Sequence, residues 1–115
     1  MAYSEYLAER IENSLKKEVE YETKKMMGGL VFMVFGHMCL GISRDKNTDE
    51  DRLMIRCGKE HYDQLLKLPG ARIMDFTGKP MKGFLHIYPD GFDNNSDLEF
   101  WITQALSFNK TLRQP

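Results

Sequence analysis

The stretch Leu30-Val31-Phe32-Met33-Val34-Phe35-Gly36-His37-Met38-Cys39-Leu40-Gly41-Ile42-Ser43 decides the fold. Its first six residues are apolar at every position, so a strand built from them is covered on both faces or central in a sheet. Phe35-Gly36-His37 then reverses the chain, and residues 37–43 return as the second strand of the same hairpin. A link this short requires antiparallel pairing. Just upstream, Val19, Tyr21 and Thr23 alternate with Glu20, Glu22 and Lys24. That is a strand over 19–25 with one wet face, near a sheet edge. Gly28-Gly29 separates it from the apolar run as a bulge or turn.

Further out, helices frame these strands. Over residues 4–17, Leu7, Ile11 and Leu15 recur at helical spacing, with Ser4 as N-cap and Lys16 and Lys17 in the last turn. Downstream, residues 44–51 (RDKNTDED) read as an exposed polar loop. In the strand over 52–57, Leu53, Ile55 and Cys57 share one face, and Met54 and Arg56 the other. Residues 59–67 form a short helix that buries Tyr62, Leu65 and Leu66 and stops at Pro69-Gly70. The spacing predicts irregular chain over 71–82 and a strand over 83–88, ended by Pro89-Asp90-Gly91. A last helix starts at a capping box, Ser96 with Glu99, and buries Leu98, Trp101, Ile102, Ala105 and Leu106. The order is helix, four strands, helix, strand, helix. The fold class is α+β, a two-layer domain with helices on one side of an antiparallel sheet.

A chain of 115 residues has the size of a single domain, 1–115. Sixteen basic and seventeen acidic residues leave a net charge of −1, which excludes a strongly basic phosphate-backbone binder. Hydrophobic residues make up 42% and charged residues 29%, which excludes wholesale disorder. Glu5, Glu9 and Arg10 interrupt the N-terminus, so it lacks the apolar core of a signal peptide. The longest apolar run has six residues, far short of the ~20 that span a bilayer. The expectation is a cytoplasmic protein without membrane contact, in which Cys39 and Cys57 are reduced thiols.

No catalytic constellation stands out. Thr77-Gly78-Lys79-Pro80 lacks the spacing and the Ser or Thr of a phosphate-binding loop. His37 and Cys39, with Cys57 opposite, could supply thiolate and imidazole ligands, but the residues are single and scattered. His61 and His86 are distant in sequence from both cysteines, so a Cys/His pair depends wholly on the fold. Asp90, Asp93, Asn94, Asn95 and Asp97 miss the calcium-loop spacing and suit Asx turns. Arg72, Lys79 and Lys82 beside Phe76 and Phe84 pair charge with stacking, a local hint of nucleic-acid binding that the neutral total charge opposes. There are eight methionines. They read first as core filler, and as an adaptable contact surface wherever they are exposed.

Three stretches together resemble one family. They are Lys24-Lys25-Met26-Met27-Gly28-Gly29-Leu30, then Arg52-Leu53-Met54-Ile55-Arg56-Cys57-Gly58, then the long run from Pro69-Gly70-Ala71-Arg72 through Asp75-Phe76-Thr77-Gly78-Lys79-Pro80-Met81-Lys82-Gly83-Phe84. The sequence is similar to the TfoX (Sxy) N-terminal domain family, named for a bacterial regulator of DNA-uptake competence, over roughly residues 3–109. The resemblance implies a secretion-chaperone-like two-layer domain with no established catalytic site and no cofactor. The competence regulator acts in transcription and carries a second domain, for which residues up to Pro115 leave no room. Two smaller departures are Met27, where the family pattern suggests Phe, and the longer loop 44–51. The expectation is a stand-alone, non-catalytic contact or regulatory module. Its partner would be a protein, either a second copy in a homodimer or the transcription machinery, with direct nucleic-acid contact disfavoured. The motif residues marked for interaction are Lys25, Met26, Gly28, Gly29, Arg72, Asp75, Phe76, Gly78, Lys79, Pro80, Met81, Lys82 and Gly83. The rival expectation is a small-ligand or enzyme pocket near Cys39, Cys57 and Asp75–Gly83, with His86 and Lys82 converging on the thiols.

Overall fold

The computed structural model describes residues 3–26, 28–75 and 78–113. Met27 and the motif residue Phe76 lie outside them. The first helix, α1, is Glu5–Leu15, followed by β1 (Glu22–Met26), β2 (Gly29–Val34), β3 (His37–Arg44) and β4 (Asp51–Arg56). A single helical turn, α2 (Tyr62–Leu65), leads to β5 (Ala71–Asp75) and β6 (Pro80–Ile87), and α3 (Asn95–Leu112) closes the chain. The six strands form one sheet in the order β1-β2-β3-β4-β6-β5. Every neighbouring pair is antiparallel. This is the α+β architecture that the hairpin spacing requires.

The deciding hairpin forms as its sequence dictates. Phe35 and Gly36 both take positive φ, 53° and 77°, the geometry of a two-residue turn that matches strand twist. Register slips once inside the pair. Phe32 faces Leu40 but Met33 faces Met38, so Cys39 is the extra residue of a β-bulge.

The helix expected over 59–67 is shorter, Tyr62–Leu65, and the expected loop 44–51 gives Arg44 to β3 and Asp51 to β4. Four further boundaries differ from the sequence pattern, each for a local reason. The segment 71–82, expected to be irregular, contains β5 and the start of β6. Gly78 (φ 80°) sits in the turn that joins them, and Pro80 opens the second strand, where its missing N–H costs nothing. β1 starts at Glu22 instead of residue 19. Val19 and Tyr21 precede it, pack against the core, and Tyr21 Oη donates to Glu12 Oε2 at 2.9 Å. α1 ends at Leu15, so Lys16 and Lys17 lie past its last turn. The last helix starts before the expected capping box. Asn94 is its N-cap and accepts from Asp97 N at 2.8 Å. Glu99 instead accepts from Ser14 Oγ at 2.9 Å and ties α3 to α1.

The sheet has two unlike faces. On one, α1, α2 and α3 cover the main core, in which Phe32, Leu40, Leu53, Ile55, Leu85, Ile87 and Ile102 are fully buried. Trp101 anchors α3 there, and its Nε1 donates to Gly91 O at 3.0 Å. The alternate residues of the same strands point to the opposite face, which no helix among the described residues covers. No helix among the described residues is long and apolar enough to cross a membrane.

Candidate docking face

The uncovered face carries its own apolar cluster. Val31 on β2, Met54 on β4 and Met74 on β5 are buried in it, with Met33, Met38, Met81 and Phe84 packed around them. The strands bring these residues together by parity. Val31 pairs with Gly41, and Gly41 with Met54, so one bare glycine lies between two large side chains. Gly41 therefore leaves the room that the Met54 side chain fills, its methyl 3.4 Å from where a Cβ would stand. The methionines thus answer to both sequence readings. Met54 and Met74 are core residues, but of a second, thin core without a helix over it. Met26, at the outer edge on β1, is 40% exposed.

Arginines border this cluster. Arg56, on the same face of β4 as Met54, lies 5.4 Å above the Phe84 ring and 5.6 Å from the Phe108 ring, and its Nη1 donates to Met38 O at 3.4 Å. Arg72 on β5 pairs with His86 on β6 and stacks on Tyr88, its guanidinium 3.9 Å from the ring centre. Among the described residues, neither arginine makes an ion pair. Arg52 is different. It donates to Tyr88 Oη at 3.0 Å and to Ser43 Oγ at 3.1 Å, and lies 3.7 Å from Asp45 Oδ2. Tyr88 Oη in turn donates to Asp45, which holds that carboxyl below the usual range and helps raise the phenol beyond burial alone. The loop expected to be fully exposed therefore turns one side chain inward.

Titration separates this face from the thiols. Burial, and then the Arg52 charge, push His86 down to about 4, so it is neutral at physiological pH. Burial pushes the Cys39 thiol up to about 12 and the Cys57 thiol up to about 11. Both cysteines belong to the main core on the helix side. His86 lies across the sheet, paired with Met54 and Arg72. The rival convergence of thiols, His86 and Lys82 is not assembled. A 330 Å³ cavity does touch Cys57, beside His61 and Phe108, but it contains neither Cys39 nor Lys82. No group of three metal-ligating side chains occurs among the described residues.

The interaction motif read from sequence is divided by the topology. Lys25, Met26, Gly28 and Gly29 sit at the β1–β2 hairpin, and Arg72, Asp75 and Gly78 to Gly83 at the β5–β6 hairpin, on opposite edges of the sheet. Several of these residues serve the backbone. Gly28, Gly78 and Gly83 have positive φ, Asp75 Oδ1 accepts from Gly78 N at 2.7 Å, and Gly83 O accepts from Cys57 N at 2.8 Å. A Cβ on Gly29 would collide with the Ile42 carbonyl. Lys25, Lys79, Pro80 and Lys82 are exposed. Of the marked side chains, Met26, Arg72 and Met81 lie on the shared face. What joins the two hairpins is the set between them, Met33, Met38, Met54, Arg56 and Phe84, none of them among the residues marked for interaction. Strand parity was the available signal, because Met54 and Arg56 alternate with Leu53 and Ile55.

The geometry defines a small α+β domain, with helices on one side of an antiparallel sheet and an apolar, arginine-bordered face on the other. The chain belongs to the TfoX N-terminal domain family, which matches residues 13–109. No curated protein and no solved structure matches it.

Proposed function

We propose that the chain is a non-catalytic contact module, acting in the cytoplasm by docking another protein on the open sheet face. The observation that carries this reading is the second apolar cluster, Val31, Met54 and Met74 with their half-buried neighbours, on the side without helices. Adaptable methionines on a sheet face suit a surface that repacks around a partner. Family membership, in a family named for a transcription regulator, agrees with a regulatory setting. The separation of the inert thiols from His86 supports the absence of catalysis.

Capture from native cell extract tests it, with the wild-type chain and a Met38→Lys variant immobilised side by side. The expected result is a protein partner retained by the wild type and lost by the variant, with both chains sharing one thermal melt. A second variant, Met81→Lys, serves if the first unfolds. Identical retained sets for wild type and a folded face variant would overturn the reading.

A further inference from the structure

The arginines say what kind of partner the face fits. Lys24, Arg52, Arg56 and Arg72 stand on the same side of the sheet as the methionine cluster, against Glu22 and Asp45. Asp45 is already committed to Arg52 and Tyr88. Arg72 lies over the Tyr88 ring at 3.9 Å, and Arg56 lies near the Phe84 and Phe108 rings. One Arg56 N–H is given to Met38 O, and neither guanidinium makes an ion pair among the described residues, so the remaining N–H groups are left for a carboxylate. A second copy docked face to face would set these like charges against each other. That argues for a partner of opposite sign.

Backbone chemistry chooses the partner's conformation. The strand N–H and C=O groups of the sheet interior are already spent on neighbouring strands, so the open face offers side chains and no ladder. An extended segment lying flat on it would leave its own backbone unpaired. A helix brings its backbone bonds with it and presents a stripe of side chains. Arg56 and Arg72 lie two strands and two residues apart in register, through Phe84 and His86. That places their Cα atoms about 12 Å apart, from strand spacing and rise. On a helix this distance is about eight residues, two turns along one face.

Resting on the contact-module reading above, we propose that the open face takes an acidic amphipathic helix of another protein. Its apolar stripe seats on Met33, Met38, Met54 and Met81, and two of its carboxylates, about two turns apart, seat on Arg56 and Arg72.

The test uses the full chain with 13C-labelled methionine methyls. The probes are three synthetic helices of ~18 residues with the same leucine stripe, flanked by Glu, by Gln or by Lys. The Glu helix is expected to shift the methyls of Met33, Met38, Met54 and Met81 and to bind about tenfold tighter than the Gln helix. The double variant Arg56→Glu, Arg72→Glu should reverse the order and prefer the Lys helix. If that variant fails to fold, Arg56→Gln with Arg72→Gln should remove the preference for Glu and keep the methyl shifts.

Equal binding of all three helices at the same methyls would overturn the acidic assignment and leave the contact module standing. If none of the helices shifts these methyls at about 1 mM and no extract protein distinguishes the face variants, both readings fall. Two other results overturn the proposal. One is a homodimer, by light scattering, whose free spectrum already shows these methyls covered. The other is a DNA or RNA oligonucleotide that shifts the same methyls with a steep salt dependence.

Discussion

Asn109 Nδ2 donates to the carbonyl oxygen of Val34 at 3.0 Å, deep in the protein. The side chain is 1% exposed, and its Oδ1 accepts from Arg113 Nε at 3.0 Å. One amide thus fastens the last turns of α3 to the end of β2, beside the turn at Phe35-Gly36. A buried polar group of this kind holds its place only through its partners. Asn109→Ala should remove both bonds of this tie, leave Arg113 Nε without its acceptor and cost roughly 1–3 kcal/mol. Urea unfolding measures this as a fall in midpoint at unchanged slope. A loss below ~0.5 kcal/mol would mean that the bond contributes nothing net.

The other end of α3 offers a sharper comparison. Sequence spacing points to Ser96 as the N-cap, with Glu99 completing the box, but Asn94 holds that position. Asn94 accepts from Asp97 N and donates through Nδ2 to Asp97 Oδ2 at 3.0 Å. Ser96 falls inside the helix and is exposed. Asn94→Ala should therefore cost about 1 kcal/mol, and Ser96→Ala less than ~0.5 kcal/mol. Equal losses, measured in the same urea series, would return the cap to Ser96.

Local rules read much of this fold. The double-faced apolar run, the Phe35-Gly36 reversal and the helical stripe Leu7, Ile11, Leu15 each depend on neighbours within a few residues. What escaped them depends on distant partners. β5 has only five residues, and its edge position follows from pairing with β6, as Arg72 meets His86. Glu99 looked like a cap because its distance from Ser96 fits one; Ser14, from the first helix, decides its role. The docking face was half legible. Alternation puts Met54 with Arg56 on β4, and in the same way Phe84 shares a face with His86 on β6. Strand order alone brings β6 beside β4, so Arg56 and Phe84 become neighbours only in the folded sheet.

The thiols give a direct test of the inert reading. Cys39 fills a bulge beneath α3, and Cys57 Sγ donates to Gly58 O at 3.4 Å and Gly83 O at 3.5 Å. With both thiols pushed well above the ordinary range by burial, little thiolate exists at neutral pH. An alkylating reagent at pH 8 should label the native chain at least ~100-fold more slowly than the chain in denaturant, since attack must await opening. Fast labelling of either cysteine in the native state, followed by peptide mass spectrometry, would contradict their burial and reopen a nucleophilic role.

His86 sets a slope in stability against pH. Burial and the Arg52 charge hold it near 4 in the folded chain, partly opposed by Asp45, against about 6.5 when unfolded. Between these values the unfolded chain takes up a proton that the folded one refuses, so the linkage favours unfolding as pH drops. The contribution is complete above about pH 6.5 and fades toward pH 4, by about 2 kcal/mol after allowance for partial exposure. Asp45, held low by Tyr88, acts in the same direction in more acid solution, where protonation removes its advantage. His86→Gln should flatten the urea midpoint between about pH 4.5 and 6.5 and leave the steeper acid loss below it. An unchanged slope in the variant, or a His86 ring that titrates near 6.5 by NMR, would show that the histidine sits in water and that the face around it is more open than its place between Met54 and Arg72 in the sheet implies.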